Sequence, residues 1–354
     1  MNRSNSRSCR FFEHARRQDR GFTLIELMVA MLLGLIVIAG VSSVFLANVR
    51  SYHTNEALSD VQSNSRIAFE LMARDIRQAG LTGCVSNNGR VANVLDVGPN
   101  NGGTAWWANW GNAVRGYEQG GVADPAVSVG TGVAERAADT DSLQVMGATG
   151  AGVSVNEGNG TSSTKANFKL NEPTSNLETG DIIIVCDPDH AAIVQITDYN
   201  DSNVTLVHNP GGAVSPGNCS KGLGFPTVCT TNGNGYNFGP NSRITKMAAH
   251  DWYIGNNPVG GRSLYRQAAV LSGTTVSPVA QEMVRNVTDM QIEYLQPGTT
   301  GNEFVTADKV TDWSKVDAVR VTLTLHSTDQ RTGSNAKPLE RIFSSTTTIR
   351  NRVG

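Results

Sequence analysis

Two groups near the start of the chain could act on each other chemically. One is the carboxylate of Glu26; the other is the amine that a cut between Gly21 and Phe22 would expose. Four residues separate them, one turn along the same face of a helix. Residues 27–47 carry no charge, so Glu26 stands at the start of an apolar segment long enough to span a bilayer. A lone carboxylate in such a segment is costly unless a partner neutralises it, and the new Phe22 amine is a partner of the right sign. The same cut would remove a basic leader holding Arg3, Arg7, Arg10, Arg16, Arg17 and Arg20.

Four cysteines remain after Cys9 leaves with that leader: Cys84, Cys186, Cys219 and Cys229. An even number in an exported chain suggests two disulfides with three possible pairings. Spacing favours Cys219 with Cys229, across a short Gly/Pro-rich loop, and therefore Cys84 with Cys186. Without a Cys-x-x-Cys pair, zinc is the weaker alternative. Trp106, Trp107 and Trp110 fall within five residues. They could form a surface aromatic cluster that stacks on a sugar, or two could cover the core with one partly exposed; the second is favoured because tryptophan is usually buried. His190 follows Cys186, Asp187 and Asp189, but Asp187-Pro188-Asp189 reads better as a turn with His190 exposed on it than as a metal cluster. Residues 198–203 begin like a calcium loop, yet lack its central glycine and closing glutamate, so a hairpin turn is expected. Gly-x-Ser-x-Gly, His-Glu-x-x-His and phosphate-binding Gly-x-x-x-x-Gly-Lys signatures are absent. No enzymatic activity, cofactor or metal is expected.

The elements that position these residues follow from patterning. Residues 52–79 lack proline and glycine, and Leu58, Val61, Ala68, Leu71, Met72, Ile76 and Ala79 recur at three- and four-residue spacing, which predicts an amphipathic helix stopped at Gly80. Joined to the apolar segment, it makes one helix from Phe22, roughly 90 Å long at 1.5 Å per residue. Beyond Cys84 helical periodicity is weak. Strands are expected at 181–186, 191–197, 203–208, 289–296, 316–326 and 341–350, separated by Gly/Asn-rich stretches at 86–104, 147–164 and 211–241. Residues 319–325 alternate strictly, as for a strand with one buried face, whereas 182–185 are uniformly apolar, as for a strand buried on both. The fold class is therefore α+β: a long N-terminal helix packed on a mostly antiparallel sheet domain. The divisions are a leader at 1–21, an apolar half-helix at 22–49, an amphipathic half-helix at 50–80 and a β-rich domain at 81–354.

Charge gives the orientation. The whole chain has 29 basic and 31 acidic residues. With its leader removed, 23 face 29, a net charge near −6 that argues against nucleic acid as a partner. Six arginines precede the apolar segment and only Arg50 closely follows it, so the leader stays cytoplasmic and the remainder is exported. An ordinary secretory signal would have a shorter apolar run followed by a small-x-small site. An uncleaved anchor would leave Glu26 and the glycine at the boundary unexplained.

The segment Gly21-Phe22-Thr23-Leu24-Ile25-Glu26 resembles the processing site of type IV prepilins. That resemblance implies cleavage after Gly21 by a prepilin peptidase that also methylates the Phe22 amine, and pairing of Glu26 with the Phe22 amine of a neighbouring subunit. Residues 74–84, 115–118, 180–185, 263–266, 287–294 and 316–321, then Ile342-Phe343 and Arg350-Asn351, are similar in order to PilW-type minor pilins. The resemblance implies a pilin-like fold, a place at or near the tip of a type IV pilus, and a part in initiating its assembly, with adhesion and twitching motility by extension. Implied partners are other minor pilins, the major pilin, the assembly platform and the inner membrane, with the domain in the periplasm before assembly and outside the cell after it. The J-type minor pseudopilin of type II secretion shares this architecture. An anchored, exported binding protein or adhesin is the third alternative.

Overall fold

The computed structural model describes residues 21–84, 89–158, 165–297, 301–329 and 337–350. Arg3 to Arg20 of the leader, and Asn351, lie outside them. The chain divides into two compact units, Met1–Asn55 and Glu56–Gly354. A 55-residue helix, α1 (Leu24–Gln78), contributes to both. Its start is set by Thr23, whose carbonyl accepts the first helical bond from the Leu27 amide.

In the first unit the helix is long and apolar enough to cross a membrane. Its large side chains, from Leu24 to Leu46, are exposed. Length and hydropathy account for this stretch, since no tertiary contact is needed to hold a run of apolar helix formers helical in lipid.

In the second unit the helix buries Ala57, Val61, Ser65, Ala68, Met72, Ala73 and Ile76, a stripe at three- and four-residue spacing. Leu58 and Leu71 flank it half-buried. Ser65 fits the apolar stripe because its hydroxyl bonds back to the Gln62 carbonyl at 2.8 Å. The helix stops at Gly80, which takes φ +73° and sends its amide to the Met146 carbonyl at 2.7 Å. Ala148 then donates to Leu81 at 2.7 Å, so the helix exit is hydrogen-bonded onto the strand Ser142–Glu157. Gly147 makes this approach possible: a Cβ there would collide with the Gln78 carbonyl.

Two sheets complete the unit. The larger, eleven strands among the described residues, is centred on Ile182–Cys186, Arg243–Asn256 and Ser142–Glu157, paired antiparallel. Its parallel strand pair is Val91–Asn93 with Ala191–Gln195. The second sheet is antiparallel in the order Asn302–Val305, Val287–Pro297, Ala318–His326, Glu340–Thr348. Ile182–Cys186 is buried on both faces, with Ile183 and Val185 in one core cluster and Ile182, Ile184 and Cys186 in another. Val319, Val321, Leu323 and Leu325 face the helix stripe, joining Met72, Ile76, Trp252 and Met290 in one core.

Three expectations change. Residues 147–157 belong to the long strand Ser142–Glu157 and not to a loop; a register shift between Thr149 and Val153 absorbs its glycines. Asp198–Asn200 is a short strand paired with Thr205–Val207, so the hairpin turn occupies only residues 201–204. His190 is buried, because Tyr236, 46 residues away in sequence, stacks on its ring at 4.1 Å.

Candidate functional site

Gly21 and Phe22 precede the helix, with Phe22 90% exposed. Glu26 lies at the third helical position. Its Oε2 accepts from the Thr23 amide at 2.9 Å and the Thr23 hydroxyl at 2.8 Å, while the Glu26 amide donates back to Thr23 Oγ1 at 3.3 Å. This is a capping box, which satisfies the orphan donors of the first turn. Sequence reasoning singled out Glu26 but missed Thr23, although a threonine three residues ahead of a glutamate is a signature of such a cap. The arrangement holds an exposed carboxylate in the first turn of an apolar helix, four residues along the chain from Phe22, which itself lies just outside the helix.

At the other end of the helix, Asp75 Oδ2 accepts from Trp252 Nε1 at 3.0 Å and lies 2.8 Å from His250 Nδ1. These contacts join the last turns to the middle of the large sheet, beside a cleft of about 210 Å³ that Arg74 and Arg266 also line.

Cys84 is bonded to Cys186 and Cys219 to Cys229. The first joins the chain just after the helix to the end of the central strand, across 102 residues. The second closes a loop of ten. Around Cys186, the remaining groups of the conceivable metal cluster are engaged elsewhere. Asp187 Oδ1 accepts the amides of Asp189 and His190, its Oδ2 accepts the Tyr236 hydroxyl, and His190 Nε2 lies 2.9 Å from the Leu223 carbonyl. Burial holds the His190 imidazole below its ordinary pKa.

The tryptophans separate. Trp106 and Trp107 are each 6% exposed and belong to the core around Leu95, Ile184 and Ile193, so the three do not form a surface cluster. The physical reason is the pair of short 3₁₀ turns, Trp106–Ala108 and Trp110–Asn112, which turn the first two indoles inward. Trp110 stays half-buried, on the wall of a cavity of about 580 Å³.

A buried acidic pair went unnoticed in the sequence. Asp251 is fully buried, and no N–H or O–H of another residue reaches either oxygen. Burial first, then the charge of Asp124, push its pKa well above the usual carboxylate range. Burial and the neighbouring carboxylate both therefore disfavour a charged Asp251. Asp124 is saturated with donors from the Ala126 amide, Gln144 Nε2 and the Ser142 hydroxyl. Against Phe168, in another part of the domain, burial lowers His208 to about 4, and neither of its ring nitrogens has a hydrogen-bond partner among the described residues.

Comparison with known proteins gives two matches. The family model described as Type IV Pilus-assembly protein W covers residues 251–351, and the Prokaryotic N-terminal methylation motif covers residues 16–42. No curated protein and no solved structure matches the chain. One match contains Gly21, Phe22 and Glu26; the other contains the four-stranded sheet that packs on the second half of the helix. Together they support a likeness to PilW-type, prepilin-like minor pilins.

Proposed function

We propose that this protein is a minor pilin that enters a type IV pilus at or near its tip and helps to start its assembly. Its leader is cut after Gly21 by a prepilin peptidase, which methylates the Phe22 amine. The apolar half-helix waits in the inner membrane with the β-rich domain in the periplasm. Assembly moves that half-helix from lipid to a bundle of equivalent helices from the major pilin and other minor pilins, on the inner-membrane platform. Lipid contact and helix contact are similarly apolar, so a polar term must set the register. In a medium of low dielectric, a mismatched register leaves the Glu26 carboxylate and a neighbour's Phe22 amine both unpaired, which is far costlier than losing a surface ion pair. The bulky β domain suits a tip better than repeated packing along a shaft, and adhesion and twitching motility would follow from that position.

The observation that carries this reading is the exposed Glu26 carboxylate, fixed by Thr23 in the first turn of an apolar helix and four residues from Phe22. The test is Glu26→Ala, with leader removal followed by mass spectrometry, membrane insertion by fractionation, and incorporation by counting surface pili. The expected variant is cut and inserted but does not enter pili. Normal piliation would overturn the register argument. Deletion of the whole protein is expected to abolish most surface pili; intact pili with blocked export of folded enzymes would assign it to type II secretion instead.

A further inference from the structure

The cavity beside Trp110 has the composition of a binding site. Its volume, about 580 Å³, lies within the ~300–1,000 Å³ usual for small-molecule clefts. Among the described residues its lining carries no charged side chain: the groups that matter are Asn100, Asn109, Trp110, Phe225, Thr227 and Ser314. Trp110 is half-buried and Phe225 is 52% exposed, so each offers an aromatic surface that the core does not use. The Asn109 side-chain amide and the Trp110 indole N–H make no hydrogen bond among the described residues, while the Asn109 backbone N–H is spent on the Trp106 carbonyl at 3.1 Å and Asn100 spends one side-chain N–H on the Asn93 carbonyl at 3.1 Å. Each amide can both donate and accept.

The walls are fixed in advance. On one side, buried Trp106 and Trp107 anchor the 3₁₀ turns that present Asn109 and Trp110, and Asn93 Nδ2 bonds to the Ala108 carbonyl at 2.6 Å. On the other, Phe225 and Thr227 ride on the loop closed by Cys219 and Cys229, and Asn234 Nδ2 holds the Pro226 carbonyl at 2.7 Å. The Asn93 amide donates to Thr227 Oγ1 at 3.0 Å and ties the two walls together. That bond also occupies the outward amide of the adjacent edge strand, Val91–Asn93, which removes a main-chain donor that an added peptide strand would need. Aromatic faces with side-chain amides and hydroxyls, and no charge, match a ligand with apolar C–H faces ringed by hydroxyl groups.

We propose that this cleft is a carbohydrate site for an uncharged oligosaccharide, with one sugar ring laid against Trp110, Phe225 on the opposite wall, and hydroxyls bonded to Asn109 and Asn100. The site stands independently of pilus entry.

The test uses the full-length protein in micelles of a sugar-free detergent, applied to a printed array of neutral, sialylated and sulfated glycans. The strongest neutral glycan is then titrated while tryptophan fluorescence is followed. Binding is expected among neutral glycans and should be insensitive to salt. Trp110→Ala and Phe225→Ala should each weaken it about tenfold or more; Phe225→Ala should leave the thermal midpoint unchanged, and Trp110→Ala, whose ring also packs on the core, should still unfold cooperatively from a lower midpoint. Asn109→Ala should weaken it with the indole still present. No glycan above background would overturn the proposal. So would binding indifferent to Trp110→Ala, a salt-sensitive preference for acidic glycans, or a peptide library that binds at Trp110 when no glycan does. A Glu26→Ala variant that enters pili normally and still binds the glycan would count against the assembly reading alone.

Discussion

The two disulfides enclose very different lengths of chain, and that difference sets the size of their effects. Cys84–Cys186 spans 102 residues and Cys219–Cys229 spans 10. If a cross-link acts by restricting the unfolded chain, the long loop is worth about 4.7 kcal/mol at 25 °C and the short one about 2.7 kcal/mol. The native contacts around the longer bond do not depend on it. Gly80 remains bonded to Met146, Ala148 to Leu81, and Asp75 to Trp252. The loss should therefore arise mainly in the unfolded state. Urea unfolding of Cys84→Ala/Cys186→Ala and of Cys219→Ala/Cys229→Ala, each in the full chain, measures both. The first pair should cost about 2 kcal/mol more than the second, with little change in the native near-UV spectrum. Equal losses, or a larger loss from the ten-residue loop, would refute the entropic reasoning and place the effect in native packing.

Two further substitutions probe the buried interior. Asp251 has a folded pKa raised above its unfolded value, so the folded state holds an extra proton and its stabilising effect is complete only at low pH. The contribution is lost as pH rises from about 3.9, the unfolded value, through the folded one, at about 1.4 kcal/mol per unit. Asp251→Asn should remove that part of the slope and raise the thermal midpoint at pH 7; a slope identical to the parent's would show that Asp251 is not the group responsible. Gly116 lies where a Cβ would meet the hydroxyl and ring of Tyr294, which is fully buried with its hydroxyl unpartnered. Gly116→Ala should cost about 1–3 kcal/mol in urea unfolding, and adding Tyr294→Phe should recover part of the loss. Additive losses would contradict the predicted collision.

What could be read from the sequence was whatever a single periodicity encodes. The strict alternation at Val319, Val321, Leu323 and Leu325 and the uniform run at 182–185 gave their burial directly. The stripe from Val61 to Ile76 likewise gave the packed face of the helix. The strands Ser142–Glu157 and Arg243–Asn256 did not stand out, though they lie at the centre of the large sheet. The first carries glycines that look like a loop but serve a close approach to the helix end and a register shift. The second buries Asp251, an ionisable residue that no apolar pattern announces and whose charged form burial and Asp124 both disfavour. His190 and the cleft at Trp110 depend on residues 46 and about 115 positions away, Tyr236 and Phe225. No local pattern records such meetings.

The site at the head of the helix was legible in composition but only half legible in mechanism. Glu26 signals an unpaired charge, and the obvious partner is an amine on another chain. Thr23 adds what that reasoning lacked, a partner within the same chain that holds the carboxylate before any neighbour arrives. A carboxylate has enough lone pairs to accept from the Thr23 amide and hydroxyl while still meeting an ammonium group. The cap and the pairing between subunits are therefore compatible. In the proposed assembly the cap would limit the rotamers of Glu26 in the waiting subunit, so less side-chain entropy would be lost when a neighbour docks. It also supplies neutral donors, which ease the charge during the passage from lipid but do not cancel it. That leaves a driving force for the one encounter that does cancel it: a helix displaced by a turn could keep its own cap and all its apolar contact, and still fail to meet the incoming amine.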